Sequence, residues 1–317
     1  MKAAVLKKFG SPLDIEERAK PKPRGQEVLV KVKGAGVCHS DVHIMEGRHP
    51  NVSLPLILGH EISGEAEGLG DVLIYSSWGC KSCDLCSEGE EQLCSRATEA
   101  GWVRDGGYAE YVIVPSEKYL LPLEALDPIR AAPLADAGVT PYRAIRRIMQ
   151  WLRGDCKAVV LGVGALGQFA VQYLRLLTKA HVIAVDLDDS KLRTALGLGA
   201  NEVLRPSELT GPVDVVLNFV GQDSTLELAT RVVKKGGIVM QVGEGGGHLV
   251  FGMFHVLHET YFTTSIWGSL RDLSTVLEYA RHGKIRWSVE TLPLDKANEA
   301  LLRVKKGEVS GRLVLVP

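Results

Sequence analysis

The sequence predicts an α/β protein of two domains, a barrel-like all-β region followed by a doubly wound parallel sheet. Three observations predict this. A chain of 317 residues exceeds one ordinary domain and suits two, each with its own core. Residues 1 to about 135 alternate short apolar runs with Gly and Pro punctuation, the period-two pattern of strands broken by turns. From about residue 140 strand-like and helix-like stretches alternate, and the strands are apolar throughout, as when helices cover both faces of a sheet.

In chain order, VLVKVKGAGV, DVLIYSSWG and YAEYVIVP read as strands of the first region, which is expected to hold little helix. The second region runs KAVVL (strand), ALGQFAVQYLRLL (helix), HVIAVD (strand), VDVVLNFVG (strand), TLELATRVVKK (helix) and GGIVMQVG (strand). After about residue 270 follow helix-like SLRDLSTVLEYARHG, strand-like SVETLPL, helix-like DKANEALLRVKKG and a final strand GRLVLVP. No repeat or low-complexity tract interrupts them.

A net charge of −1 with 24% charged and 45% hydrophobic residues is the balance of a soluble globular protein and excludes a polyanion binder, so no nucleic-acid partner is expected. No run of about 18 apolar residues occurs and the N-terminal stretch lacks a secretory pattern, so the expectation is a cytoplasmic protein without a membrane partner. Four of the six cysteines crowd into residues 80–94, which in a reducing compartment points to metal before disulfides.

Three motifs carry chemistry. Gly162, Gly164 and Gly167 form a GxGxxG between a strand and a helix, and the next strand ends at Asp186. Glycines there permit a tight turn and close approach to a diphosphate at a helix N-terminus, while an acidic group about 20 residues on bonds ribose hydroxyls and disfavours a 2′-phosphate. NAD is therefore the expected cofactor. Cys80, Cys83, Cys86 and Cys94 suit one tetrahedral zinc with no open position, a structural staple; the alternative is disulfides or unbound thiols. The stretch GVCHSDVH (36–43) and the later Gly59-His60-Glu61 supply Cys38 and His60, two ligands of a mixed S/N site whose third ligand composition cannot choose. Taken singly, Cys38 also reads as a small buried hydrophobe, His60 as a core histidine and Glu61 as a solvated charge.

The stretches GVCHSDVH, LGHE, the four-cysteine lobe, GGYAEYVIVP, PLADAGVTPYRA, VVLGVGALGQFAVQYL, VIAVD and GRLVLVP together resemble the zinc-dependent medium-chain alcohol dehydrogenases over nearly the whole chain. The resemblance is to a bacterial and archaeal NAD-dependent subgroup with an aspartate as third zinc ligand, acting on secondary alcohols and ketones. It implies a GroES-like catalytic domain at 1–137 and 268–317, with the structural-zinc lobe at 80–94. A Rossmann NAD-binding domain at 138–267 interrupts it, with the active site in the cleft between them. Two zinc ions per chain are implied, one held by Cys38, His60 and Asp136 and one by the four cysteines.

The family pattern makes Glu61 a neighbour of the metal that approaches it during ligand exchange, and Asp41 the group that orients His60 through its other ring nitrogen. Ser40 takes the alcohol proton and His43 releases it to solvent. His39 and Arg312 fall near the cofactor diphosphate and Lys191 near its adenosine ribose; alone, Lys191 and Arg312 read as solvated charges. Ser76, Trp78 and Trp267 match positions that line the substrate pocket, though a tryptophan there reads equally as core. The family implies a homo-oligomer, a tetramer before a dimer.

The chain departs from the pattern in two places. Only nineteen residues separate His60 from Cys80, shorter than usual by about a β-hairpin, and RPSELTGPVDVV lacks most of a helix. Natural or deliberate trimming explains either. The first is expected to displace the metal wall, at a large cost in rate. Gly197 and Gly199 are expected to weaken a helix by roughly 1 kcal/mol each if interior. The competing readings are a polyol or amino-alcohol dehydrogenase of the same fold, for which Ile266 and Trp267 supply no polar group, a catalytically silent nucleotide-binding homologue, and a zinc-ribbon nucleic-acid module, which the absence of a basic or aromatic surround disfavours. Cys156 has no assigned role.

Overall fold

The computed structural model describes residues 1–317. Two compact units emerge, one comprising Met1–Asp136, Gly268–His282 and Ser288–Pro317, the other Ala137–Trp267 with Gly283–Trp287.

The first unit is organised on the strand Val28–Gly36. Its Val30 and Val32 are buried while Lys31 faces solvent, the alternation that a half-buried strand requires. Around it a seven-stranded sheet runs in the order Leu120–Pro122, Gly70–Ile74, Glu61–Ala66, Val28–Gly36, Arg312–Val316 and Val289–Pro293, with Tyr111–Val114 also on Val28–Gly36. Strands from both ends of the sequence thus meet beside residues 35–38. The expected single strand DVLIYSSWG divides into Gly70–Ile74 and Ser77–Trp78. Helix is present too: His39–Met45 begins at Cys38, whose backbone N donates to the Asp41 carboxylate at 2.9 Å, a first-turn acid completing the helix start.

The second unit is a six-stranded, wholly parallel sheet in the order Glu202–Leu204, His181–Val185, Lys157–Leu161, Val213–Asn218, Val233–Gln241, Tyr261–Thr264. The order reverses between Lys157–Leu161 and Val213–Asn218, the point where doubly wound sheets bind dinucleotides. Val159, Leu161, Ile183, Val185, Val216 and Val239 pack with Leu228, Ala229 and Val232 as its core. No helix stands between Leu204 and Val213, as the short RPSELTGP predicts.

Local pattern misleads in two places. The helix read through Lys235 stops at Val232, and Val233 opens the strand Val233–Gln241, because consecutive β-branched residues and a parallel partner strand outweigh the helical spacing. Gly199 lies beyond the helix Asp189–Gly197 with φ +108°, so it ends that helix without weakening its interior. Residues 283–287 join the second unit because Gln172 exchanges two hydrogen bonds with the Arg286 backbone, at 2.7 and 2.8 Å.

Candidate functional site

Three elements of the first unit converge. Cys38 starts the helix His39–Met45, His60 precedes the strand Glu61–Ala66, and Asp136 ends the 3-10 turn Ala132–Ala135. Their ligand atoms lie within 4.8 Å of one another, and the residues are 7%, 1% and 8% exposed. Asp136 Oδ2 is 3.4 Å from Cys38 Sγ and 3.6 Å from His60 Nε2. A tetrahedral zinc with bonds of about 2.3 Å to sulfur and about 2.0–2.2 Å to nitrogen and oxygen separates its ligands by roughly 3.4–3.6 Å. The three donors therefore fit zinc and supply three of the four ligands of a tetrahedral site.

The shortened segment after His60 leaves this cluster together. Glu61–Ala66 turns directly into Gly70–Ile74, with Leu69 N donating to Ala66 O at 3.1 Å and Gly68 and Gly70 at φ +78° and +72°. The turn lies at the far end of this hairpin from His60. The three ligand atoms still lie within 4.8 Å of one another.

Asp41 is fully buried, with Oδ1 3.3 Å from His60 Nδ1, the geometry that orients an imidazole toward a metal. Glu61 is also fully buried, so its reading as a solvated charge fails. Arg312 is 8% exposed and likewise no solvated cation. Its Nε donates to both Glu61 oxygens at 3.0 and 2.9 Å, and its Nη2 donates to Glu61 Oε1 and, at 3.0 Å, to Asp136 Oδ2. The guanidinium expected at a diphosphate is thus engaged by two carboxylates. Burial pushes the Glu61 carboxyl up to about 7 against the pull of Arg312.

Ser40 and His43 stand one turn apart on the helix His39–Met45, and the His39 and His43 rings meet at 5.0 Å. Ser76 and Trp78 are 1% and 2% exposed, and Ser76 Oγ donates to His60 O at 2.6 Å and Trp78 Nε1 to Tyr75 O at 2.7 Å. Trp267, in the second unit, is buried with φ +46°, unusual for a bulky residue.

The four lobe cysteines lie within 4.8 Å of one another, and none is in a disulfide. Sγ separations of 3.9 Å (Cys80 to Cys86), 3.5 Å (Cys83 to Cys86) and 3.7 Å (Cys83 to Cys94) match the roughly 3.8 Å edge of a zinc-thiolate tetrahedron with bonds of about 2.3 Å. Hydrogen bonds from Ser82 bring Cys80 down to about 5, while burial pushes Cys86 up to about 12. Four thiolates this close need a bound cation to remain charged together.

In the second unit Gly162 takes φ +86° after the strand Lys157–Leu161, and a Cβ on Gly167 would fall 2.0 Å from Gly162 O. Only glycine closes this turn against its helix. Gly164 begins the helix Ala165–Leu177, and nothing stands within 4 Å of where its Cβ would be, an open cradle for a diphosphate. Asp186 follows the strand His181–Val185 and accepts from Val163 N at 2.7 Å, tying the end of that strand to the glycine turn. Lys191 is half-buried on the first turn of Asp189–Gly197.

Residues 24–125 match the family described as "Alcohol dehydrogenase GroES-like domain" and residues 165–281 that described as "Zinc-binding dehydrogenase". The chain belongs to the zinc-dependent medium-chain alcohol dehydrogenases. An NAD-dependent alcohol dehydrogenase of Sulfurisphaera tokodaii is 37% identical over 350 aligned positions covering 100% of both chains. A D-arabinose 1-dehydrogenase (NADP(+)) of Saccharolobus solfataricus is 33% identical, covering 100% of this chain and 97% of its own. The solved structure of acetophenone reductase from Geotrichum candidum in complex with NAD superposes with a TM-score of 0.92 at 32% identity, over 100% of this chain and 97% of that one. As a medium-chain dehydrogenase the chain is short, since 317 residues span 350 positions of the first alignment.

Proposed function

We propose that the protein is an NAD-dependent alcohol dehydrogenase that exchanges a hydride between an alcohol, preferentially secondary, and NAD, giving a ketone or aldehyde. It would carry a catalytic zinc at Cys38, His60 and Asp136 and a structural zinc at Cys80, Cys83, Cys86 and Cys94. The observation that carries this is the buried Cys38, His60 and Asp136 cluster, whose spacing suits zinc and which supplies three of the four donors of a tetrahedral site. When bound, the metal lowers the pKa of an alcohol hydroxyl and NAD takes up the hydride. Ser40 then accepts the hydroxyl proton and His43 passes it to solvent, from one face of the same short helix. Asp41 holds His60 in its ligating tautomer. In the second unit the Gly162–Gly167 turn holds the diphosphate, and Asp186 with Lys191 the adenosine ribose.

We assign the protein to the cytoplasm and to a homo-oligomer, a tetramer before a dimer. No helix is long and apolar enough to cross a membrane. Support for self-association comes from the second unit, where Val250, Phe251, Met253 and Phe254 are 64–99% exposed and the strand Tyr261–Thr264 forms one margin of the sheet. Its other side is a surface for a second copy.

The test follows NADH formation with primary, secondary and polyol alcohols before and after zinc is removed and restored, with light scattering on the same sample. Zinc-dependent turnover favouring secondary alcohols is expected; turnover indifferent to zinc refutes the proposal. The similarity to a D-arabinose dehydrogenase supports a second reading, a sugar or polyol substrate, which preference for those alcohols would select. Asp186→Ser removes the carboxylate that disfavours a 2′-phosphate, so the ratio of kcat/KM for NADP to that for NAD should rise roughly tenfold or more, worth about 1.4 kcal/mol. An unchanged ratio would mean that Asp186 serves only the turn.

A further inference from the structure

Tyr108 lies in the stretch that joins residues 106–110 to Leu58 and Gly59. Its backbone N donates to Leu58 O at 2.9 Å, its carbonyl accepts from Ala4 N at 2.8 Å, and Gly107 N donates to Gly59 O at 2.8 Å. The residue is fully buried. Its ring fills the space beside Gly59, where a Cβ would fall 2.4 Å from Tyr108 Cδ1, and Gly59 holds φ +93°. The backbone that presents His60 is therefore shaped around this ring.

Packing alone would be served by phenylalanine. A hydroxyl in a fully buried place is costly unless bonded, and Tyr108 Oη donates to Asp41 Oδ2 at 2.8 Å. The same Asp41 oxygen accepts from Cys38 N at 2.9 Å, while Oδ1 faces His60 Nδ1 and Gly59 N, each at 3.3 Å. One carboxylate thus reaches both Cys38 and His60, and the phenol fixes its rotation from a third side.

We propose that Tyr108 is a positioning residue for the catalytic metal, setting Asp41 and through it the Cys38 backbone and the His60 ring. This rests on the zinc reading of Cys38, His60 and Asp136. Loss of a group behind a metal ligand typically costs 10–100-fold in metal affinity, and a group one bond further out should sit at the lower end.

Tyr108→Phe keeps the ring and removes the bond. Zinc release to a chelator from the intact protein should show two phases, and Asp136→Ala, which lacks the catalytic zinc, identifies which phase belongs to the cysteine lobe. In Tyr108→Phe the catalytic phase should quicken about tenfold while the lobe phase is unchanged, and the visible spectrum of the cobalt-substituted catalytic site should shift. In Asp41→Asn the same Tyr108→Phe change should have little further effect, because its route runs through that carboxylate. Unchanged catalytic release with an unchanged cobalt spectrum overturns the proposal. Equal quickening of both phases overturns it too, since that marks a role in packing only. A wild-type protein that holds only the lobe zinc refutes the underlying zinc reading, and this proposal with it.

Discussion

Asp136→Ala should leave one zinc per chain in place of two and lower kcat/KM for alcohol by about a thousandfold or more. Asp136 supplies the oxygen that faces both Cys38 Sγ and His60 Nε2, and its removal leaves two donors where zinc needs three from the protein. A catalytic metal contributes several kcal/mol of charge stabilisation in the transition state, and each 1.36 kcal/mol is tenfold in rate. The fold should persist, since Arg312 retains its bonds to Glu61. Metal analysis beside steady-state kinetics checks this, with Asp136→Cys as the control: a thiolate is an equally good zinc ligand, so that variant should recover the second zinc and part of the activity. If Asp136→Ala binds two zinc ions and turns over normally, Asp136 is no ligand.

Arg312→Ala should destabilise the first unit by about 3–5 kcal/mol, the cost of leaving a buried charge without its partner. Glu61 is fully buried and accepts from two nitrogens of Arg312. Already in the wild-type chain burial raises this carboxyl to about 7. A carboxyl raised above its unfolded value of about 4.3 holds its proton more tightly when folded. The stability it allows is therefore fully present at low pH and declines as pH rises through about 7. Without the guanidinium the carboxyl rises further, so the loss in Arg312→Ala should deepen from pH 5 to pH 8. Denaturant titration at the two values measures it. Arg312→Met with Glu61→Gln, which removes both charges, should recover most of the loss. A cost below about 1 kcal/mol would place the pair among weak surface bridges.

What the sequence made legible is what is local or repeated. The Gly162, Gly164 and Gly167 turn, the strand that ends at Asp186 and the four lobe cysteines each lie within a short stretch, and their spacing states their geometry. The alternating strands and helices likewise imply the parallel sheet. Arg312 reads alone as a solvated charge because its partner Glu61 is 251 residues away, joined only through strand register. Tyr108 meets Asp41 across 67 residues, and no spacing marks it, although the phenol in GGYAEY was a polar group in an apolar run. For Ser76 and Trp78, residue type does not reveal that both side chains are buried and bonded to backbone carbonyls. The boundary at Val232 and Val233 is not legible because helix spacing and β-branching conflict there.

The strand Arg312–Val316 closes the first unit, yet the whole second unit separates it in sequence from Asp136. A ribosome makes the N-terminal part first, at about 5–20 residues per second. The acids Glu61 and Asp136 thus emerge well ahead of the arginine that neutralises them, and for that interval the nascent sheet lacks a strand beside Ala35 and Gly36. Until Arg312 arrives, Glu61 and Asp136 have no guanidinium to bond, so this buried cluster is completed only after the whole second unit has been made.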